Sequence, residues 1–367
     1  MNLPETILQF GAGNFLRGFA DFFVSEANRG TNPPGKIVVV QSTGMERAEA
    51  INKAKGRYHV VVRGVSNGEV IDETHEVDSI SRALHAGTQW PAVLEFATSP
   101  DLRWIFSNTT EAGFVLEDTD RIRTDTAPDS FPAKLLAVLL ARHAAGCAGV
   151  MILPCELIEN NANQLLALVM EQAARWNVDD TAARWIENDC RWLNNLVDRI
   201  VPGRPTEHPL LETDPLLIVA EPFALWVIED TAGCGIEHPA IVTSTDIFSH
   251  FRRKVRILNG AHSALVCKAL PLGISTVREA LEHPEVGPWL ERLLFDEIVP
   301  VLDGYCDDPK GFAHSVLDRG RNPFFDHQLS AIALNHEAKM AVRLAPTRAE
   351  FVKRFGHDPE ILASLLS

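Results

Sequence analysis

The chain has 367 residues, 46% of them hydrophobic and 23% charged, with a formal net charge of -15. That length suggests two domains and lets such a chain bury roughly three quarters of its unfolded surface. The acidic balance removes the electrostatic basis for binding nucleic acid or anionic lipid, and no apolar run approaches the ~20 residues that span a bilayer.

The opening MNLPETILQF has no basic segment followed by an apolar one, so no secretory leader is expected. Ile7 to Phe10 reads as a short strand. It meets the glycine turn Gly11-Ala12-Gly13-Asn14, and Phe15 to Asn28 reads as an amphipathic helix. Ile37 to Val40 is a second β-branched run, preceded by a turn at Pro33 to Gly35. Strand, turn, helix and strand in that order open a βαβ unit. Further strands are expected at Tyr58 to Val62, Trp104 to Phe106 and Val150 to Leu153, with helices such as Ala133 to His143 between them. Such alternation implies an α/β fold with a mostly parallel sheet. After Ile241 to Thr245 the periodicity becomes helical, over Phe251 to Leu270, Val277 to Leu281, Trp289 to Leu302 and Gln328 to Leu344. The expected division is 1–245 as a Rossmann-type dinucleotide-binding domain and 246–367 as a mainly α-helical substrate and catalytic domain.

The six cysteines are scattered, with no CxxC pair and no Cys/His zinc spacing. They read as reduced thiols of a cytoplasmic protein, and no metal is expected. Two glycines after a strand allow a tight turn and close approach of backbone to a pyrophosphate, with a helix N-terminus behind it. The usual third glycine is Leu16, so the motif alone fits an ordinary turn equally well. Arg17 is either within reach of the phosphates or a solvated helix charge. The second strand ends Val40-Gln41-Ser42-Thr43, without the acid that would hold the ribose of NAD. Arg47 is the basic residue nearby. NAD is the expected cofactor, with NADP left open.

Lys254, Asn259 and His262 fall within an arc of about 140° on one face of a helix that advances about 100° per residue. They offer a base, an amide donor and an imidazole. Hydride transfer to a carbonyl needs a proton donor and hydrogen bonds to the developing oxyanion. The plainer reading is a polar helix stripe. The apolar neighbours Ile257, Leu258, Ala261, Leu265 and Val266 favour a buried helix whose polar groups require partners.

Eight segments, in order over nearly the whole chain, resemble the mannitol dehydrogenase family of polyol-specific long-chain dehydrogenases. They are QFGAGNFLRGF, SNTTEAGF at Ser107 to Phe114, FPAKL at Phe131 to Leu135, PCELIENN at Pro154 to Asn161, VDRIVP at Val197 to Pro202, EPFALWVIED at Glu221 to Asp230, KVRILNGAH at Lys254 to His262 and RNPFFDHQLSAIALN at Arg321 to Asn335. The resemblance implies a nicotinamide-dependent oxidoreductase with Lys254 as general acid/base, Asn259 polarising the carbonyl and His262 orienting Lys254 or binding substrate. It implies cofactor contacts from Gly11, Gly13, Asn14, Phe15, Arg17, Thr109 and Glu111. Asp198 then faces the substrate, unless it forms a structural ion pair with Arg199. Arg321, Asn322, His327 and Lys339 hold the far end of the substrate.

Members acting on mannitol carry an oxyanion-binding Asn where this chain has Leu157, and the CEL at Cys155 to Leu157 resembles the uronate branch. EPFALWVIED is more like the mannitol and fructuronate enzymes. Long members continue through further helices after the stretch matching Lys339 to Pro346. The expected reaction interconverts a keto-uronate and its aldonate. Fructose, fructuronate and fructose 6-phosphate are alternative substrates, and a catalytically inactive nicotinamide-binding sensor or scaffold is the alternative of another class. An anionic substrate in so acidic a chain needs local cations, which Arg321, His327, Lys339 and Arg343 offer. Lys339 and Arg343 are i, i+4 neighbours on the expected last helix, which Arg321 precedes across a turn at Pro323. The chain has no YxxxK pair, Walker A loop or GxSxG elbow.

Overall fold

The computed structural model describes residues 3–109 and 111–367. Its strands, in chain order, are β1 (Glu5–Phe10), β2 (Lys36–Gln41), β3 (Tyr58–Ser66), β4 (Glu69–Val77), β5 (Ile80–His85), β6 (Trp104–Ser107), β7 (Met151–Pro154), β8 (Arg191–Trp192), β9 (Asn195–Asp198), β10 (Ile218–Ala220), β11 (Leu225–Glu229) and β12 (Ile241–Ser244). The chain divides into two compact units. The first comprises residues up to Val61, Thr74–Ala220 and Ala224–Thr245; the second comprises Val62–Glu73, Glu221–Phe223 and Asp246–Ser367. Neither unit is one continuous stretch.

The first unit is built on a six-stranded sheet of order β5-β2-β1-β6-β7-β8. Every pairing in it is parallel. Parallel strands covered on both faces need nearly continuous apolar runs, and Ile37, Val38, Val39 and Val40 of β2 are all fully buried. The helix Phe131–Ala144 covers one face. Ser130 caps it by accepting from Ala133 N, Pro132 sits in its first turn, and Leu135, Leu136 and Leu139 enter the core with Trp90, Phe96 and Leu165. Counted within the sheet, the order is third, second, first, fourth, fifth, sixth. The direction of winding reverses between β1 and β6, and in open α/β sheets the ligand crevice lies beyond the strand ends at that point. A second sheet, β12-β11-β9, is mixed.

The helix expected over Phe15 to Asn28 is two helices, Asn14–Arg17 and Ala20–Ala27. At the break Gly18 packs so closely that a Cβ there would lie 2.9 Å from Val201 Cγ1. Phe19 leaves helical geometry and buries its ring against Phe15, Phe23 and Trp226.

Asp21, on Ala20–Ala27, is fully buried. Burial raises its pKa to about 7, against the pull of Gln9 and Arg17. A folded-state pKa above the unfolded value means that folding takes up a proton between about pH 4 and 7. The stability linked to this carboxyl is therefore full in acid and is lost as pH rises through 7. Asp21→Asn removes the titration, so its urea stability should gain on the parent's between pH 5 and pH 8. A difference that stays constant with pH would show that Asp21 ionises normally.

In the second unit, Val62–Glu73 is the tip of the β3–β4 hairpin. Asn67 and Gly68 both have positive φ, +52° and +78°, the pair of conformations a two-residue type I′ turn needs. Gly68 N donates to Asp318, the Arg63 guanidinium lies over the Phe324 ring, and Asn322 Nδ2 donates to Arg63 O. Glu221 and Arg319 form a bidentate ion pair, both bonds 2.9 Å, with both side chains buried.

The remainder is helical, around a core that includes Ile257, Leu265, Leu293, Phe312 and Leu344. The expected long helices are broken. Phe251 to Leu270 becomes the α-helix Ile247–Arg253, a π-helical turn Lys254–Asn259 and the α-helix Gly260–Ala269. Trp289 to Leu302 contains another π turn, Leu293–Ile298, just before Pro300, which lacks the N–H needed to continue an α ladder. Gln328 to Leu344 is split into Leu329–Ile332 and His336–Arg343 by Asn335 at φ +55°. Among the described residues, no helix is long and apolar enough to cross a membrane.

Candidate nucleotide-binding and active site

In the first unit, a cavity of about 640 Å³ opens at the winding reversal, beyond the ends of β1, β2 and β6. That volume falls in the range of small-molecule sites. The turn Gly11, Ala12 and Gly13 lines it, with Gln41 to Thr43, Arg47, Asn108 and Thr109 around it. Gly11 has φ +118°, and a Cβ there would lie 2.9 Å from Asn108 O, so only glycine suits the position. At Gly13 a Cβ would meet nothing within 4 Å. The turn thus packs on one side and faces open space on the other, as backbone approached by a phosphate must.

Arg17 fits neither of its expected roles. It is buried, donates to Leu216 O and to Asn14 Oδ1 at 2.7 Å, and lies over the Tyr58 ring. Asn14 is thereby engaged with Arg17, and Phe15 stacks on Phe19. Thr109 reaches the cavity, but its N–H and hydroxyl both donate to Glu156 Oε1, at 2.8 and 3.2 Å. Glu156 also accepts from Ser107 Oγ at 3.0 Å. Burial raises its carboxyl pKa and these donors oppose the shift. Glu156 therefore pins the loop after β6 beside the glycine turn. Residue type alone does not assign this role to Glu156, although an acid two residues past the buried end of β7 is its signal. The side chain of Glu111 lies outside the described residues. Arg47 donates to Ala12 O and Glu46 also lines the cavity, so this acid, five residues past the end of β2, faces the space that lacks one at Gln41 to Thr43. Asp198 is buried at the end of β9, opposite Leu225 of β11. Arg199 donates to Gly18 O and lies over Phe22.

In the second unit, Lys254, Asn259 and His262 share one continuous helical path whose first turn is π rather than α. In that turn carbonyls accept from residues five ahead, so Lys254 and Asn259 are brought closer around the axis than the 140° that an α-helix leaves between them. Isolated π turns occur frequently at functional sites. All three side chains are partly exposed. The His262 and His327 rings meet edge to face at 4.9 Å, and burial lowers the pKa of His327. Lys339 Nζ donates to Ile332 O at 2.8 Å. Arg343 donates to Asn259 O at 3.4 Å and to Ser263 Oγ at 3.0 Å. Arg321 instead pairs with Glu291 at 2.8 Å, both side chains partly exposed. Asn322 Oδ1 accepts from Phe324 N, so Asn322 shapes its own loop. Among the described residues, no group of three or more His, Cys, Asp or Glu side chains is arranged to hold a metal ion.

Comparison with known proteins matches residues 5–241 to the mannitol dehydrogenase Rossmann domain and 246–366 to the mannitol dehydrogenase C-terminal domain. The altronate oxidoreductase of Bacillus subtilis (strain 168) is 40% identical over 98% of this chain and 78% of its own length. That of Klebsiella pneumoniae (strain 342) is 38% identical over 99% of this chain and 79% of its own. Among solved structures, D-sorbitol dehydrogenase in substrate-free form superposes with a TM-score of 0.85 at 24% identity, over 100% of this chain and 79% of that one. The Pseudomonas fluorescens mannitol 2-dehydrogenase ternary complex with NAD and D-mannitol gives 0.76 at 22% identity, over 100% and 78%. At these identities the two structures speak for the fold.

Proposed function

Because this chain belongs to the mannitol dehydrogenase family, with that family's Rossmann and C-terminal domains in order, we propose that it is the keto-uronate reductase its altronate oxidoreductase relatives are named for. It is an NAD-dependent oxidoreductase acting on a CH–OH group. The pair we assign is tagaturonate and altronate. The observation that carries the reading is the cavity beyond the ends of β1, β2 and β6, with the glycine turn packed on one side and open on the other. The residues fit a dinucleotide: Gly11 and Gly13 let backbone approach a pyrophosphate, and Glu156 holds the Thr109 loop.

Held at the Gly11–Gly13 turn, a nicotinamide cofactor would supply the hydride for reduction and accept it in oxidation. In reduction, Lys254 gives a proton to the carbonyl oxygen as that oxygen gains charge, and takes it back in oxidation. Asn259 donates an amide N–H to the same oxygen. His262, braced by the His327 ring, holds substrate or orients Lys254. The π turn serves this chemistry by bringing Lys254 and Asn259 onto one face. An inactive sensor gains nothing from that alignment.

The test is oxidation of NADH and NADPH with tagaturonate, fructuronate, fructose and fructose 6-phosphate. Tagaturonate with NADH is expected to give the highest kcat/KM. A preference for neutral fructose would replace this reading with a mannitol 2-dehydrogenase activity.

A further inference from the structure

Arginines of the second unit commonly meet a carboxylate. Arg252 and Arg256 share Glu350, Arg278 pairs with Asp326, Arg319 with Glu221, Arg321 with Glu291 and Arg348 with Asp358. Arg354 instead donates to the backbone oxygens of Val301 and Asp303, and Arg343 also departs from the pattern. It is half-buried, and among the described residues no carboxylate pairs with it. Burial alone accounts for the direction in which its pKa moves, which is down. In a chain with 49 Asp and Glu against 34 Lys and Arg, a half-buried cation that has drawn none of those carboxylates keeps its attraction for an anion from outside. Lys339, one turn earlier on the same helix, pairs with no carboxylate among the described residues and adds like charge at i, i+4. His336 feels both cations, which help burial lower its pKa.

The hydrogen bonds of Arg343 run through Nη1 alone, to Ser263 Oγ and Asn259 O. Its Nη2 and Nε make none among the described residues, and neither is sealed in the interior. A guanidinium anchored by one nitrogen keeps an edge for a planar anion, which Arg grips with two parallel N–H bonds. That edge belongs to a group bonded to the backbone carbonyl of Asn259, whose side-chain amide is assigned above to the substrate oxygen.

We propose that Arg343 binds the substrate carboxylate, and so selects sugar acids over neutral ketoses. The inference rests on the keto-uronate reading above and names the residue that reads the acid. Arg321, the arginine the sequence pattern suggests for that task, already has Glu291.

The test is steady-state kinetics of the full chain with tagaturonate and saturating NADH. Arg343→Ala should raise the KM for tagaturonate by about 10-fold or more, the loss expected for a charge-assisted contact, with kcat changed much less. Arg343→Lys, which keeps the charge without the fork, should fall between. If the alanine variant does not fold, the lysine variant is read alone. A KM within about threefold of the parent's overturns the proposal, and a fall confined to kcat would assign Arg343 to holding the Asn259 turn instead. A parent active on tagaturonate whose variants keep its KM overturns this inference alone. A parent inactive on every keto-uronate overturns the reading beneath it as well.

Discussion

Replacing Lys254 by alanine is expected to lower turnover by about 10²–10⁴-fold, the contribution a positioned general acid or base makes. NADH affinity should stay nearly intact, because the nucleotide cavity is lined by residues of the first unit, from Gly11 to Leu216. The substitution should not unfold the chain. Lys254 is partly exposed, and alanine is the best helix former. An added primary amine should recover part of the rate by donating the missing proton. Single-turnover rates at saturating NADH check this directly. Near-normal turnover would sink the mechanism and leave Lys254, Asn259 and His262 as a polar stripe on a helix.

Gly13→Val should abolish saturable NADH binding while leaving the fold intact. The two glycines of the turn make different demands, and the difference makes the experiment clean. At Gly11 any side chain is strained by the positive φ and collides with Asn108 O, so loss of binding there could follow from misfolding. At Gly13 the backbone is ordinary extended chain, φ -67° and ψ 168°, and the Cβ position is empty. Valine can be built there, and it would fill the space that backbone must leave to a pyrophosphate. Fluorescence titration of NADH, alongside a thermal melt, separates the two effects. Parent-like affinity in a variant with a parent-like melt would show that the turn does not hold the cofactor.

The parallel sheet was legible because its strands carry their own pattern. β1 and β2 are short apolar runs bounded by glycine turns, and burial on both faces demands such runs. β5, ISRALH, was not legible: it lacks β-branched alternation and becomes a strand by pairing with β2. The hairpin of β3 and β4 has a local turn signal in the Asn67–Gly68 pair, but the polar run of β4, EVIDETHEV, hides a strand that lies largely exposed. The helical breaks were hidden for another reason. A hydrophobic pattern reports which side chains are buried, and that pattern continues unbroken through Lys254 to Asn259 and through Leu293 to Ile298. The choice between α and π hydrogen bonding lies in the packing around each turn.

Sequence by itself determined the fold class, the family, and the residue types that nucleotide binding and carbonyl chemistry require, because glycine turns, periodicity and ordered motifs are local properties of a chain. The tertiary structure alone decided which of those residues face an opening. Arg17, one turn from the glycines, turns inward to Leu216 O, because a guanidinium buried in a core must spend its donors on carbonyls. Glu156, 47 residues beyond Thr109, becomes the anchor of its loop because parallel pairing sets β6 beside β7. Arg321 and Arg343 are equivalent as letters, each a cation near the C-terminal end. Packing gives one of them Glu291 and the other the carbonyl of Asn259, and an arginine's role follows from whether a carboxylate has already reached it.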